Sequence, residues 1–314
     1  MAIEYFEEIS KLLKEKNILV TCIIPAWNEG PRISHVLEAT KNYPFFYEVI
    51  VVDDGSTDNT CEVVREAMKH SPKLFLAKNS KNLGKAGAVI NGVKKAKGEL
   101  IVLLDADLTG LDIKSLDKLV YYVLNGSYSM TILDRPSDRL SVISGITDLP
   151  RLMGGERAFW KEDFNKMEID MNDGYTIELI INMYFVKRKM KVRTFYAKDL
   201  NAAYQFDKHG WIKGIKRYLK MFWNIYNKGG VISNLQSMVN FEQDRLSILY
   251  KIKYKSKFVG WLLNPIIIIL SIVKAILMTT FLNIQYFIFD KLLNMIKNNI
   301  KRVNKLRKSI LAQN

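Results

Sequence analysis

Two closely spaced pairs of aspartates hold the chemical interest of this chain. In LIVLLDADLTG, residues 100–110, five aliphatic residues lead to Asp105 and Asp107, with only Ala106 between them. On extended backbone, positions two apart share a face, so both carboxylates would point into one site. Two such charges at the mouth of a buried run are costly unless one keeps its proton or a cation joins them. Mg²⁺ or Mn²⁺ resolves the conflict, because these hard ions take one or two carboxylates together with substrate phosphates. The simpler alternative makes Asp107 the cap of a helix begun by TGLDIKSLDKLV. Asp53 and Asp54 form the second pair and precede Gly55, Ser56 and Thr57. Gly and Ser permit a tight turn there, and Ser56 or Thr57 is suited to cap a helix starting near Asp58. A carboxylate at that point also suits a ring N–H of a nucleobase or a ribose hydroxyl. Asn82-Leu83-Gly84-Lys85 adds a tight turn and a cation at a helix start, where phosphate or ribose is met.

The elements that must position these groups alternate. Apolar runs rich in β-branched residues occupy 18–24, 48–54, 73–77 and 99–105, and helical patterns fill 31–42, 57–70 and 85–98. Near-continuous apolar strands separated by helices predict an α/β fold with a mostly parallel central sheet covered on both faces. Right-handed crossovers then bring every strand's C-terminal end to one edge, where such sheets bind ligands. PAWNEG, DDGSTDNT, NLGKAG and DADL all fall at that edge. Neither G-x-G-x-x-G after the first strand nor GxxxxGK[ST] is present, which argues against a dinucleotide enzyme and a P-loop NTPase.

Composition excludes wholesale disorder, with 48% hydrophobic and 25% charged residues. The net charge of +15 is unevenly distributed: residues 1–130 carry 16 basic and 17 acidic side chains, the remainder 31 and 15. A basic excess confined to the second half argues against a nucleic-acid-coating protein and for a neutral ligand-binding half beside a half that meets an anionic surface. Cys22 and Cys61 have no metal spacing and read as core residues. The N-terminal residues have no secretory pattern, so the cytosolic side is expected.

With the motifs IPAWNE (24–29), VDDGSTD (52–58), NLGKAGA (82–88) and LDADL (104–108), residues 18 to about 210 resemble the family 2 glycosyltransferases of the GT-A nucleotide-sugar-binding fold. The resemblance implies transfer of a hexose from a UDP- or GDP-sugar, with inversion. It places Pro25, Ala26, Asn28 and Glu29 along the nucleotide pocket, Asp54 and with it Asp53 at the base, and Gly84-Lys85 near base or ribose. Asp105 with Ala106 would reach ribose or metal, and Asp107 would hold the Mg²⁺ or Mn²⁺ that bridges the diphosphate. MGGERAFW (153–160) is similar to the family's glycine-rich segment below the sugar, giving Gly154, Gly155, Glu156 and Arg157 acceptor-side places. NDGYTIELIINMYF (172–185) is similar to its acceptor helix, with Asp173 as the base and Glu178 as an acceptor-positioning residue or alternative base. His209 would be a third metal ligand or a lone surface histidine. Lys208, Lys213, Arg151 and Arg157 would either meet phosphate or belong to a solvated basic face.

Between Phe258 and Phe289 the sole charge is Lys274, and the apolar runs on either side of it have 16 and 15 residues. Each is short of the roughly 20 residues a helix needs to span a bilayer. Residues 291–311 add seven Lys/Arg, no acid, and apolar residues at helical spacing. This pattern fits a peripheral or monotopic anchor on an anionic cytosolic leaflet, with buried helices or an oligomer interface as the alternative. The expected organisation is an N-terminal helix (1–17), a GT-A domain (18–230, divided near 110 into nucleotide and acceptor halves) and C-terminal membrane-associating helices (231–314). A membrane seat points to a lipid acceptor, a polyprenyl phosphate or a glycerolipid. The alternatives are a soluble enzyme acting on a small phosphorylated acid such as 3-phosphoglycerate, and a non-catalytic nucleotide-binding relative.

Overall fold

In the computed structural model, ten strands and seven α-helices alternate among the described residues, which are 5–135, 154–202 and 242–243. The strands are β1 (Val20–Ala26), β2 (Glu48–Asp53), β3 (Leu74–Lys78), β4 (Leu100–Leu103), β5 (Leu108–Thr109), β6 (Met130–Asp134), β7 (Arg157–Trp160), β8 (Val192–Tyr196), β9 (Asn201–Ala202) and β10 (Glu242–Gln243). The helices are α1 (Phe6–Lys16), α2 (Ser34–Asn42), α3 (Thr60–Met68), α4 (Gly84–Lys95), α5 (Ile113–Leu124), α6 (Lys161–Asn165) and α7 (Ile177–Lys187), and a 3₁₀ turn spans Met171–Thr176. The chain divides into two compact units, Met1–Lys251 and Ile252–Asn314, and every described residue belongs to the first.

The main sheet has the order β10-β8-β6-β7-β4-β1-β2-β3. It is parallel except at β7, which runs antiparallel to both β4 and β6. The mostly parallel α/β architecture expected from the apolar runs is present. Strand period explains its two-sided core. Cys22, Ile24, Val49, Val51 and Val102 pack on one face with residues of α2 and α5, while Ile23, Ile50, Val52, Ile101 and Leu103 pack on the other with α4 and α7. Gly92 lets α4 lie close to the sheet, since a Cβ there would come within 2.5 Å of the Ile23 side chain.

Three expectations need correction. β4 ends at Leu103, two residues short of the predicted strand, because its β7 ladder ends at the Leu103–Arg157 pair. Ala106 and Asp107 therefore lie in a turn and not on extended backbone. Asp107 does not cap α5; Asp112 does, accepting from the Ser115 N–H at 2.7 Å. Likewise Ser56 and Thr57 do not cap α3, which starts at Thr60 behind Asp58, whose Oδ1 accepts the Thr60 N–H at 3.0 Å. At its outer edge the sheet takes in Glu242–Gln243, paired parallel with β8.

Candidate active site

The C-terminal edge of the sheet gathers the motifs, and backbone geometry shows how. Asn28 sits at φ 55°, a left-handed turn just past β1, where its N–H donates to Ser56 Oγ at 2.9 Å and its Oδ1 accepts the Thr57 N–H at 2.8 Å. Glu29 is turned toward α2, with Oε2 2.7 Å from Arg32 Nε and its N–H on Thr60 Oγ1. Pro25 and Ala26 complete the β1 ladder opposite Val52 and Asp53. Asp53 is fully buried: Oδ1 accepts the Ser56 N–H at 3.1 Å and Oδ2 accepts the Cys61 thiol at 3.1 Å. Cys61 is a core residue, as is Cys22, whose thiol pKa burial pushes up.

Asp54 fixes the next loop. Its Oδ1 accepts from Asn79 Nδ2 at 2.7 Å and from the Leu83 N–H at 2.9 Å, and Oδ2 accepts the Gly84 N–H at 2.8 Å. Gly84 can meet that carboxylate because it adopts φ +79°, a conformation that costs other residues strain. The turn aims the next residue, Lys85, across the site. Its Nζ lies 2.6 Å from Asp105 Oδ1 and 2.6 Å from Glu178 Oε1, and all three side chains are largely buried. Burial alone would lower the Lys85 pKa, but the two carboxylates outweigh it and hold the ammonium charged well above its ordinary range.

Gly154-Gly155-Glu156-Arg157 reaches this triad from β7. A methyl group at Gly155 would lie 2.1 Å from Asp105 Oδ1, so the glycine is what lets the segment abut that carboxylate. Arg157 is fully buried, which rules out a solvated basic face. Glu156 is also fully buried; neither of its carboxyl oxygens accepts a hydrogen bond, and Arg135 Nε lies 3.6 Å from Oε2. Burial pushes the Glu156 carboxyl up to about 7, against the lowering pull of Arg135, and Asp105 adds to the rise.

A stability consequence follows with a definite sign. The folded state binds the Glu156 proton more tightly than the unfolded chain, whose carboxyl has the ordinary value of 4.5, so stability falls as pH rises from 4.5 to about 7 and is level above. The full span corresponds to on the order of 3 kcal/mol. Glu156→Gln removes this slope, so thermal melts should show the variant gaining on the parent between pH 5 and pH 8. A constant difference across that range would contradict the assignment.

Asp173 occupies the 3₁₀ turn before α7, where Oδ2 accepts the Asp170 N–H at 2.8 Å and its backbone oxygen accepts the Thr176 hydroxyl at 2.7 Å. Gly174 breaks the turn at φ 55°, ψ −122°, and comes within 3.6 Å of where a Gly84 Cβ would stand. Glu178, in the first turn of α7, is the acidic residue of this segment that reaches Lys85 and the Asp105 site. Two members of the cluster were not anticipated. Arg135 follows the end of β6, where a basic residue at a strand terminus was the available signal. Asn182 lies one turn beyond Glu178, and its i+4 spacing places it on the same helix face.

Asp107 is buried in the turn that follows Asp105. Among the described residues no three His, Cys, Asp or Glu side chains converge on one point. Among the described residues, Asp105 and Asp107 are the carboxylates that would hold a divalent ion, and they belong to no complete cage. That donor set fits Mg²⁺ or Mn²⁺, which complete their octahedra with phosphate oxygens and water. His209, Lys208, Lys213, Arg151 and the segment 258–311 lie outside the described residues. Among those described, no helix is long and apolar enough to cross a membrane.

Known proteins share the sequence pattern and the fold of this chain. A dolichyl-phosphate β-glucosyltransferase of Trichomonas vaginalis is 39% identical, over 33% of this chain and 37% of its own length. An undecaprenyl-phosphate 4-deoxy-4-formamido-L-arabinose transferase of Pseudomonas savastanoi pv. phaseolicola is 33% identical over 28% of each. The chain thus spans about a third of the length of the curated relatives it matches. Among solved structures, a mannosyltransferase of Pyrobaculum calidifontis with GDP-Man and Mn²⁺ aligns at a TM-score of 0.55 and 20% identity, over 73% of this chain and 71% of that one. Glucosyl-3-phosphoglycerate synthase of Mycobacterium tuberculosis with Mn²⁺, UDP and glucosyl-3-phosphoglycerate aligns at 0.54 and 17%, over 69% and 83%. These structures share the GT-A-like α/β fold. Residues 21–189 match the model of the family described as glycosyl transferase family 2, more than half of the chain, and the chain belongs to that family.

Proposed function

We propose that the protein is a glycosyltransferase that moves a hexose from a UDP- or GDP-sugar to a polyprenyl-phosphate acceptor at a membrane surface. The observation that carries this reading is the joining of Asp105 and Glu178 through Lys85, at the sheet edge where the nucleotide-side and acceptor-side motifs meet. The acceptors that name the relatives, dolichyl phosphate and undecaprenyl phosphate, supply the acceptor class.

In this reading Asp54 fixes the Gly84–Lys85 turn beneath the nucleotide, and Asp105 and Asp107 hold the divalent ion. When bound, that ion supplies Lewis-acid stabilisation of the departing diphosphate. Glu178 holds Lys85 and the acceptor-side helix against Asp105, while Asp173 shapes the turn that leads to it. A phosphate monoester has its second pKa near 6, so its oxygen is already ionised at neutral pH and needs no general base. A hydroxyl acceptor would need one, and Glu178 is then the better-placed carboxylate. Residues 258–311 would seat the enzyme on the anionic cytosolic leaflet.

The test incubates the purified full-length chain with Mn²⁺ or Mg²⁺, a nucleotide-sugar panel and polyprenyl phosphate in anionic vesicles. The expected product is a glycosylated lipid phosphate, seen by mass spectrometry and lost with chelator, formed by protein that sediments with the vesicles. Transfer to 3-phosphoglycerate instead would establish the soluble alternative. Nucleotide binding without any product would establish the non-catalytic one.

A further inference from the structure

Arg157 heads the largest fully buried side chains, at 0% exposure, yet no carboxylate within the described residues accepts a hydrogen bond from its guanidinium. Its partners are acceptors of another kind. Nη1 donates to Asn182 Oδ1 at 3.0 Å and to the Glu178 backbone oxygen at 3.4 Å, and Nη2 donates to the Gly154 backbone oxygen. Nε has no hydrogen-bond partner. Burying a charge so incompletely satisfied is unfavourable, and well-packed apolar residues often replace buried ions at no loss of stability. Packing alone therefore does not account for an arginine here.

What the arginine joins is informative. Gly154 begins the segment whose Gly155 abuts Asp105, and Glu178 and Asn182 occupy successive turns of α7. On the far side Lys85 joins Glu178 to Asp105. The contacts close into a ring that runs from Asp105 through Lys85, Glu178, Arg157, Gly154 and Gly155 back to Asp105. β7 register anchors it, since Arg157 pairs with Leu103 at the end of β4 and with Ile132 in β6. Asn182, the second turn's contact, sets the rotation of α7 about its axis.

We infer that Arg157 is a positioning residue: its buried guanidinium locks the glycine segment and the first two turns of α7 together, so that Glu178 stands at a fixed distance from the Asp105 site. It acts through Glu178 and the segment without touching donor or acceptor. Burial lowers the Arg157 pKa, while the charges of Glu178, Glu156 and Asp105 oppose that fall. The same guanidinium therefore also offsets part of the acidic charge gathered here.

The inference rests on the transferase reading only for its kinetic arm. Arg157→Met, Arg157→Lys, Asn182→Leu and the Arg157→Met/Asn182→Leu pair are compared in the full chain by kinetics, calorimetry and hydrogen exchange. A misplacement of about 1 Å caused by a substitution away from the reacting atoms lowers turnover on the order of a hundredfold. Arg157→Met is expected to lose kcat on that scale while donor KM and Mn²⁺–nucleoside diphosphate affinity stay within about threefold, and Arg157→Lys to recover part of the loss. The double variant should be no worse than Arg157→Met, because both changes cut one connection. Amides of 177–183 should exchange faster in Arg157→Met, with those of α4 unchanged. A loss carried by KM, weakened nucleotide binding, fully additive effects, or unaltered exchange in 177–183 would each overturn the inference. If the parent enzyme turns over no donor, the transferase reading falls, and exchange together with the Asn182→Leu comparison still decides the role of Arg157. If Arg157→Met does not fold, Asn182→Leu decides by the same split between kcat and KM and by the same exchange.

Discussion

Asp107→Asn is expected to reduce metal-dependent transfer on the order of a thousandfold while leaving the fold intact. In the proposed reading Asp107, buried two residues beyond Asp105, would help hold the divalent ion, and an amide is a weaker, uncharged ligand for a hard cation. Lewis-acid stabilisation of a departing diphosphate amounts to several kcal/mol, and about 4 kcal/mol corresponds to that factor. The fold should tolerate the change because Asp112, not Asp107, caps α5. Steady-state rates across a Mn²⁺ titration, paired with a melting curve, measure both effects. Turnover within tenfold of the parent, insensitive to chelator, would remove Asp107 from the metal site and weaken the case for a metal-assisted reaction.

Lys85→Met has the largest expected effect on stability. The ammonium lies 2.6 Å from both Asp105 and Glu178, and deleting it removes the cation that joins these two buried carboxylates. Removing one member of a buried ionic cluster costs about 3 kcal/mol or more. In the parent, the raised Lys85 pKa means that its stabilising contribution is complete below the ordinary lysine range and fades only in strong alkali. Lys85 therefore contributes no slope between pH 5 and pH 9. In the variant a carboxyl must take up a proton to relieve the repulsion, so the folded state binds more protons and stability falls as pH rises. Urea unfolding at pH 5 and pH 8 should show a deficit that grows with pH. Parent-like stability at pH 8 would show that the triad does not support the fold.

The parallel sheet was legible because β-branched runs buried on both faces leave little else for the chain to do. Termini were less so: β4 stops where β7 stops pairing with it, and nothing in LIVLLD marks that point. The cap of α5 shows the same limit, since Asp107 and Asp112 are chemically alike and only turn geometry favours the second. Lys85 stood out as a cation at a helix start, but its contact with Glu178 depends on where α7 docks. Arg157 was the hardest to place. An arginine beside a glutamate reads as surface, and the apolar Ala158 and Phe159 that follow were the only signs of burial.

The lone reversed strand has a consequence for how such a protein can diversify. Among the described residues β7 is the one strand that pairs with both β4, and so with β1–β3 beyond it, and β6, with β8 on its far side. Because it runs against its neighbours, its beginning and not its end lies at the ligand edge, which is how Gly154–Arg157 enter the site. Within the sheet, β6 and β8 are thereby joined to β1–β4 by a single ladder four residues wide. In the proposed reading, the strands on the acceptor side of β7 could be remodelled while those on the nucleotide side stay intact, provided the join keeps its register. A one-residue slip there would turn Arg157 and Phe159 to the opposite face together, so this one ladder fixes the register on which the buried guanidinium depends.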